Sequence, residues 1–168
     1  TGAPMPLTHA DLTRFLSSVH PYDGLTPDRL KALLPAFRLQ EFNAGDPVYA
    51  FGEELEGLYI VHTGEIEVHD ENRIPVSLLG PRNSFGERGL TRKGKAVTSA
   101  RATAPSLLLL LPRADFIALM AQEPAAARFF DRRRSRTAAA RIIALRRWKR
   151  FLARGGRLCY RLLWRHMS

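Results

Sequence analysis

The hydrophobic periodicity of the chain changes at Phe37. Before it, apolar residues within 12–19 recur at helical spacing, and Thr26 and Pro27 supply an N-cap and a first residue for a second helix. After it, apolar and polar residues alternate in short runs separated by turn residues. These runs are 37–42, 47–51, 57–64, 65–70, 73–80 and 99–111. A helical period returns at residues 112–122 and continues through 125–153.

Many short strands at this spacing favour an antiparallel sheet over a parallel one. The fold class we expect is mainly β, an antiparallel β-roll or jelly roll (a double-stranded β-helix) with helices at both ends. We therefore divide the chain into N-terminal helices at 1–36, a β-roll at 37–112 and a basic helical segment at 113–168.

Basic residues concentrate in the last third of the chain. Residues 1–112 hold 11 Lys or Arg and 13 Asp or Glu, a net charge of −2, whereas residues 113–168 hold 15 and 3, a net charge of +12. Between Ala138 and Leu152 an apolar stripe lies opposite a cationic surface. We expect this helix to form a homodimer or to contact a partner domain, with a membrane surface or nucleic acid as alternatives. No helix-turn-helix domain for DNA binding follows it in the sequence.

The composition also indicates the cellular compartment in which we expect the protein. A single cysteine, Cys159, excludes an internal disulfide framework and fits a reducing compartment. The longest apolar run, Leu107 to Leu111, is too short to span a bilayer, and the first residues lack the pattern of a signal peptide. We expect a cytoplasmic protein with no transmembrane segment.

Spaced glycines and one short motif carry a family resemblance. Gly45, Gly52 and Gly64 follow one another at the turns of "AGDPVYAFGEELEGLYIVHTGEIEV", and "SFGERGL" follows at 84–90. The set resembles the cyclic-nucleotide-binding domain superfamily of catabolite-activator-like proteins, over about residues 20–122. The resemblance implies a non-enzymatic, regulatory β-roll that binds cAMP or cGMP. It also suggests a narrower group of bacterial signal-transduction proteins, in which this sensor precedes CBS-pair and nucleotidyltransferase domains.

The resemblance implies roles for individual residues of a phosphate-binding cassette. Gly86 would let the backbone approach the sugar, and Glu87 would accept a hydrogen bond from the ribose 2′-hydroxyl. Val68 falls where the family often lines the pocket with an apolar side chain. Arg88 belongs to the same candidate site, although a contact from it back to Glu87 would indicate a pocket that the protein fills itself.

The chain departs from the family where an arginine should pair with the phosphate. Alignment on "SARA" at 99–102 puts Ala96 in that place, followed by Val97, in a loop one residue shorter than usual. Lys95 is the nearest cation, with Arg92 and Lys93 earlier in the loop. Because hydrogen bonds to charged groups contribute about 1.5–3 kcal/mol, losing the arginine would weaken binding by roughly 10- to 150-fold.

Three hypotheses follow for the site. The roll binds a cyclic nucleotide weakly and repositions the C-terminal helix, or it is a degenerate fold that acts as a structural or interaction module. The third is a different small ligand, such as a non-cyclic nucleotide or another anion.

A cupin-like metal enzyme is a further and weaker hypothesis. His62, His69 and Glu67 fall close together on predicted strands, but "HTGEIEVH" lacks the spacing of a cupin ligand set. His20 is distant from them in the sequence. We expect these histidines to lie at the surface or at the pocket edge.

Overall fold

The computed structural model describes residues 7–133, most of the first of two compact units into which the chain divides. The predicted basic helix beyond residue 133, and Cys159 with it, lie outside the described residues. Within residues 7–133, no helix combines the length and the apolar character needed to cross a bilayer.

Two short helices precede the roll, as the sequence predicts. Helix α1 covers His9–Leu16 and begins with a capping box, in which Thr8 and Asp11 exchange hydrogen bonds. Helix α2 covers Pro27–Leu33, and the Thr26 hydroxyl accepts a hydrogen bond from the Arg29 N–H at 3.4 Å. Single 3-10 turns lie at Tyr22–Gly24 and Leu34–Ala36. Thr26 and Pro27 therefore have the N-cap and first-turn positions predicted for them.

Eight antiparallel strands then form the predicted β-roll. They are β1 Arg38–Phe42, β2 Pro47–Tyr49, β3 Gly57–Thr63, β4 Ile66–His69, β5 Pro75–Leu79, β6 Ser84–Phe85, β7 Ser99–Ala102 and β8 Ser106–Pro112. One sheet has the order β1-β8-β3-β6 and the other β2-β7-β4-β5. The run predicted at 99–111 consists of two strands, β7 and β8, one in each sheet.

Strands β3 and β8 form the centre of the core. Leu58 pairs with Leu111, and Ile60 with Leu109. Residues 108–111 are fully buried although they alternate in direction, because the roll interior covers one face and helix α4, Arg113–Gln122, contacts the other. This double burial explains why β8 has a continuous apolar run rather than an alternating pattern.

The corners of the roll depend on glycine at specific positions. Gly64, between β3 and β4, has φ of 96°, and a Cβ atom there would overlap the backbone and hydroxyl of Ser106. That hydroxyl accepts a hydrogen bond from the Glu65 N–H at 3.0 Å, which holds the turn against β8. Positive φ values at Gly45 and Gly52 match the turns predicted from the glycine spacing.

Helix α4 is followed by a second helical stretch at 124–133. The ring of Phe130 packs edge-on against Phe116 of α4, with centroids 5.4 Å apart, and both side chains are buried. Arg29 of α2 reaches the end of α4, where its Nε donates to Glu123 Oε1 at 2.8 Å and its Nη2 to Gln122 Oε1 at 2.9 Å. The helices that precede and follow the roll in the sequence are thus joined by side-chain hydrogen bonds.

Candidate functional site

The candidate site begins where β6 leaves the first sheet. Tyr59 of β3 pairs with Phe85 of β6, and Gly86 follows with φ of 95° and ψ of −14°. A Cβ atom on Gly86 would lie 3.4 Å from the Gly57 carbonyl oxygen and 3.6 Å from the Tyr59 ring, which is ordinary contact. The left-handed backbone, rather than lack of space, is therefore what requires glycine here.

Glu87 opens a single-turn helix, α3, which covers Glu87–Leu90. Its side chain is only 6% exposed, and among residues 7–133 it is the one buried ionisable carboxylate. The left-handed turn at Gly86 thus directly precedes a carboxylate that is withdrawn from solvent. Gly86 and Glu87 are thus adjacent and held by the same turn, in the part of the chain that the resemblance assigns to the ribose.

Three aromatic rings pack together beside this carboxylate. The ring centroid of Tyr49 is 5.7 Å from that of Tyr59 and 6.0 Å from that of Phe85, and the last two rings stack at 5.2 Å. All three side chains are buried. The sequence alone did not single out Tyr49, although the alternation within β2 places it on the inward face.

Both phenol groups of this cluster have a raised pKa. Burial raises the pKa of Tyr49, a hydrogen bond of 3.3 Å to the Thr98 hydroxyl partly offsets this, and the negative charge of Glu87 raises it further. Burial also raises the pKa of Tyr59 to about 12, with smaller contributions from Glu56 and Glu53. The site therefore presents neutral hydroxyl groups at physiological pH.

Small apolar side chains lie beside Tyr49 in the second sheet. Val68 of β4 pairs with Ala100 of β7, and Ala100 pairs in turn with Tyr49 of β2. Val68 is buried, as are Ala96 and Ala102. Val68 and Ala96 are thus both withdrawn from solvent, Val68 within β4 and Ala96 in the segment before β7.

At Ala96 the backbone is already engaged in hydrogen bonds. Its N–H donates to the Glu53 carbonyl oxygen at 2.7 Å, and its own carbonyl oxygen accepts from the Gly52 N–H at 2.8 Å. The side chain is a methyl group and is 3% exposed. Position 96 therefore offers neither a cation nor an unused N–H to a ligand.

The cations near the cassette lie towards the surface. Lys95 is exposed, as are Arg92 and Lys93, whereas Arg88 and Val97 are partly buried. The guanidinium of Arg113, the first residue of α4, covers Gly94 from outside the loop. Of the predicted site residues, Glu87, Val68 and Ala96 are buried, Gly86, Arg88 and Val97 are partly buried, and Lys95 is exposed.

The histidines considered as metal ligands lie apart. His62 of β3 packs on Phe15 of α1, with ring centroids 4.5 Å apart. His69 Nε2 lies 2.7 Å from Glu67 Oε1, which also accepts from Arg101 Nη2 at 3.1 Å. Within residues 7–133, no three His, Cys, Asp or Glu side chains converge in a way that could hold a metal ion.

Comparison with known proteins points to one family. A family model described as "Cyclic nucleotide-binding domain" matches residues 39–123. The Cyclic AMP receptor protein of Thermus thermophilus is 30% identical over 107 residues, which cover 61% of this chain and 50% of that protein. The Caenorhabditis elegans potassium voltage-gated channel unc-103 is 30% identical over 68% of this chain and 14% of its own length. The chain thus spans half or less of these relatives.

Comparison with solved structures agrees with this family. The Thermus thermophilus catabolite activator protein superimposes with a TM-score of 0.62 at 28% identity, over 77% of this chain and 62% of that one. A regulatory subunit of a cAMP-independent protein kinase A from Trypanosoma brucei has a TM-score of 0.59, also at 28% identity, over 61% and 38% of the two chains.

Proposed function

We propose a ligand-sensing, regulatory function for this chain, because it belongs to the cyclic nucleotide-binding domain family. Its relatives include a cyclic AMP receptor protein, a potassium voltage-gated channel and a regulatory subunit of a protein kinase, and we propose that such a domain controls another activity. The chain would do the same within a cytoplasmic protein, without catalysing a reaction itself.

One observation carries the proposal, namely the buried Glu87 carboxylate behind the left-handed Gly86. Hydrogen bonds to an ionised carboxylate are about twice as strong as those between neutral groups. Inside the roll, where water does not compete, Glu87 would therefore hold a ribose hydroxyl of cAMP or cGMP. Val68, a buried residue of β4, would contact the ligand through its methyl groups.

The phosphate contact would be weak. Ala96 stands where the resemblance puts an arginine, and Lys95 next to it is exposed. A lysine at the surface attracts a phosphate through a screened point charge but cannot form the paired hydrogen bonds of a guanidinium. We expect binding weakened by roughly 10- to 150-fold relative to a site with the arginine.

The ligand signal would leave the roll through α4. Gly89 of α3 packs directly on the carbonyl of Lys95, and the guanidinium of Arg113 covers Gly94 in the same loop. A ligand that closes α3 over the roll would therefore displace the first residue of α4. For this to regulate a partner, the ligand must bind the chain more tightly when α4 is in one position than when it is in the other. The partner would be a second copy or a further domain that contacts the basic segment.

A second candidate function is a structural or interaction module that binds no nucleotide. The packing of Tyr49 against Tyr59 and Phe85, next to Glu87, favours it, because these rings occupy interior space near the carboxylate. In this case the fold would be retained for the surface that it offers to a partner.

Isothermal titration of the chain with cAMP and with cGMP tests the proposal. We expect micromolar binding that Glu87→Gln, which keeps the shape but removes the charge, abolishes. Glu71→Gln, an exposed carboxylate in the turn before β5, serves as the matched control and should bind as the parent chain does. No heat up to millimolar nucleotide would contradict ligand sensing by cyclic nucleotides and would favour the interaction module.

A further inference from the structure

We propose that helix α1 detaches from the roll in mild acid, when the imidazole of His62 takes up a proton. The proposal goes beyond ligand sensing, because His62 lies on β3 against α1 and not in the cassette. It depends on the packing of one ring and on the surroundings of that ring's two nitrogen atoms.

The contact between α1 and β3 includes a pair of rings. Phe15 of α1 packs on His62, with ring centroids 4.5 Å apart and ring planes tilted by 51°. Leu12 and Leu16, on the same helix, are only 6% and 0% exposed. Apolar side chains therefore hold the helix to the roll, and the imidazole puts a titratable group into that contact.

The two nitrogen atoms of the His62 ring differ in their surroundings. Nδ1 is buried and has no hydrogen-bond partner within residues 7–133, whereas Nε2 is not enclosed in this way. A neutral imidazole carries one proton, and the tautomer with that proton on Nε2 avoids placing an N–H group at the buried position. The proton that makes the ring cationic must then be added to Nδ1, where it meets no acceptor.

Asp11, one turn before Phe15, is the acid that could compensate for a charge on this ring, but its carboxylate is engaged elsewhere. Its Oδ2 accepts from the Thr8 N–H at 3.1 Å and from the Thr8 hydroxyl at 2.6 Å, in the capping box of α1. A cationic His62 would therefore either draw this carboxylate away from the cap or leave its contact with Phe15 and enter water. Each response loosens α1.

Of the charged groups, Asp11 is the one whose field acts on His62. Glu65, in the turn after β3, is bonded to the Thr103 hydroxyl at 2.6 Å. Strand β8 pairs with this part of β3 through the leucines at 107–108. Basic side chains also occur in the region, and all are exposed, so that solvent screens their charges. They are His9 and Arg14 of α1 and Arg82 in the loop beside β3.

The size of the effect follows from the linkage between proton binding and detachment. When α1 is detached, His62 lies in water with the ordinary histidine pKa of about 6.5. When α1 is attached, burial lowers the pKa of His62, and the charge of Asp11 opposes this only in part. The detached form therefore binds more protons between these two pKa values. Its population should rise about tenfold for each pH unit in that interval and be constant outside it.

Hydrogen exchange of the whole chain, read by mass spectrometry, tests the proposal. Protection factors, which are corrected for the intrinsic pH dependence of exchange, are compared for α1 and for α2 at about pH 7.5, 6.5 and 5.5. We expect the protection of α1 to fall by up to about tenfold between the last two conditions while that of α2 is unchanged. His62→Gln should abolish this dependence. His9→Gln, which replaces an exposed histidine of the same helix, should retain it.

Three results would overturn the proposal. They are protection of α1 that does not depend on pH, an equal loss in α1 and α2, and a dependence that persists in His62→Gln. If that variant fails to fold, NMR of the ring nitrogen atoms of His62 in the parent chain decides. At about pH 8 the proton should be on Nε2. A proton on Nδ1 would contradict the proposal, because the ring could then be ionised at Nε2 without disturbing α1.

Discussion

Replacing Gly89 with alanine should destabilise the roll and open the cassette at the same time. Gly89 lies in α3, and a Cβ atom there would overlap the Leu55 side chain and the carbonyl group of Lys95. The leucine can change its rotamer, but the carbonyl belongs to backbone held on both sides. The Gly94 carbonyl oxygen accepts a hydrogen bond from the Leu55 N–H at 2.9 Å, and the Ala96 N–H donates to the Glu53 carbonyl oxygen at 2.7 Å.

The cost can be estimated from these contacts. Adding a methyl group to a packed interior typically costs about 1–3 kcal/mol. If the Lys95 backbone moves instead, the two flanking hydrogen bonds are lost, at about 0.5–1.5 kcal/mol each. Both routes lead to a cost of about 1–3 kcal/mol. A Cβ atom on Gly80, by contrast, would meet nothing within 4 Å, so Gly80→Ala should stay within about 1 kcal/mol of the parent chain.

Urea unfolding followed by circular dichroism measures both variants. We expect Gly89→Ala to have a clearly lower midpoint than Gly80→Ala with the same denaturant slope, and to lose ligand affinity because α3 no longer sits on Lys95. Equal free energies of unfolding for the two variants, within about 0.5 kcal/mol, would show that the close packing of α3 on the loop is not what stabilises the cassette.

Three further predictions follow from single contacts. Gly86→Ala should lower the free energy of unfolding in urea by about 1 kcal/mol, because the left-handed backbone disfavours a side chain although space is available. An unchanged unfolding midpoint would contradict this. Arg29→Ala should cost at most about 1 kcal/mol, since the pair with Glu123 is partly exposed, and the loss should shrink in high salt. Burial lowers the pKa of His62, and the nearby charge of Asp11 opposes this only in part. The unfolded chain therefore binds more protons below the ordinary histidine pKa, so the free energy of unfolding should fall as pH drops from about 7 through 6.5; His62→Gln should flatten this part of the stability profile, and an equally steep profile would refute the assignment.

The fold could be predicted from the sequence because its signals are local. The change of period at Phe37, the Thr26-Pro27 helix start and the glycines at the corners each report on a few neighbouring residues, and the structure confirms them. The sequence does not predict β6, because a strand of two residues has no period of its own and exists only through its pairing with β3. The sequence analysis also treats 99–111 as one run, although Thr103 and Pro105 lie between the residues that form β7 and β8.

The candidate site could be predicted only where the motif is contiguous. Gly86 and Glu87 are neighbours, so the sequence finds them together. Tyr49 comes beside Glu87 through the pairing of β2 with β7, a long-range contact that no local pattern reveals. The exposure of Lys95 could not be predicted from the sequence either. It depends on an isolated β-bridge to Glu54 and on the alternation of exposed and buried residues around Ala96.

The order of strands in the two sheets has a consequence for biosynthesis. Strand β1 pairs with β8, and β2 pairs with β7, so the first two strands of the roll obtain their partners from its last two. Pairings between such distant segments form slowly, because a long loop must close before they contribute any stability. On the ribosome, the edges of β1 and β2 and the apolar faces of β3 and β4 stay open until residues 99–112 have left the exit tunnel. A nascent chain paused before Ser99 therefore exposes unpaired strand edges and apolar faces that can associate with other nascent chains. We expect the protein to depend most on chaperones at this stage.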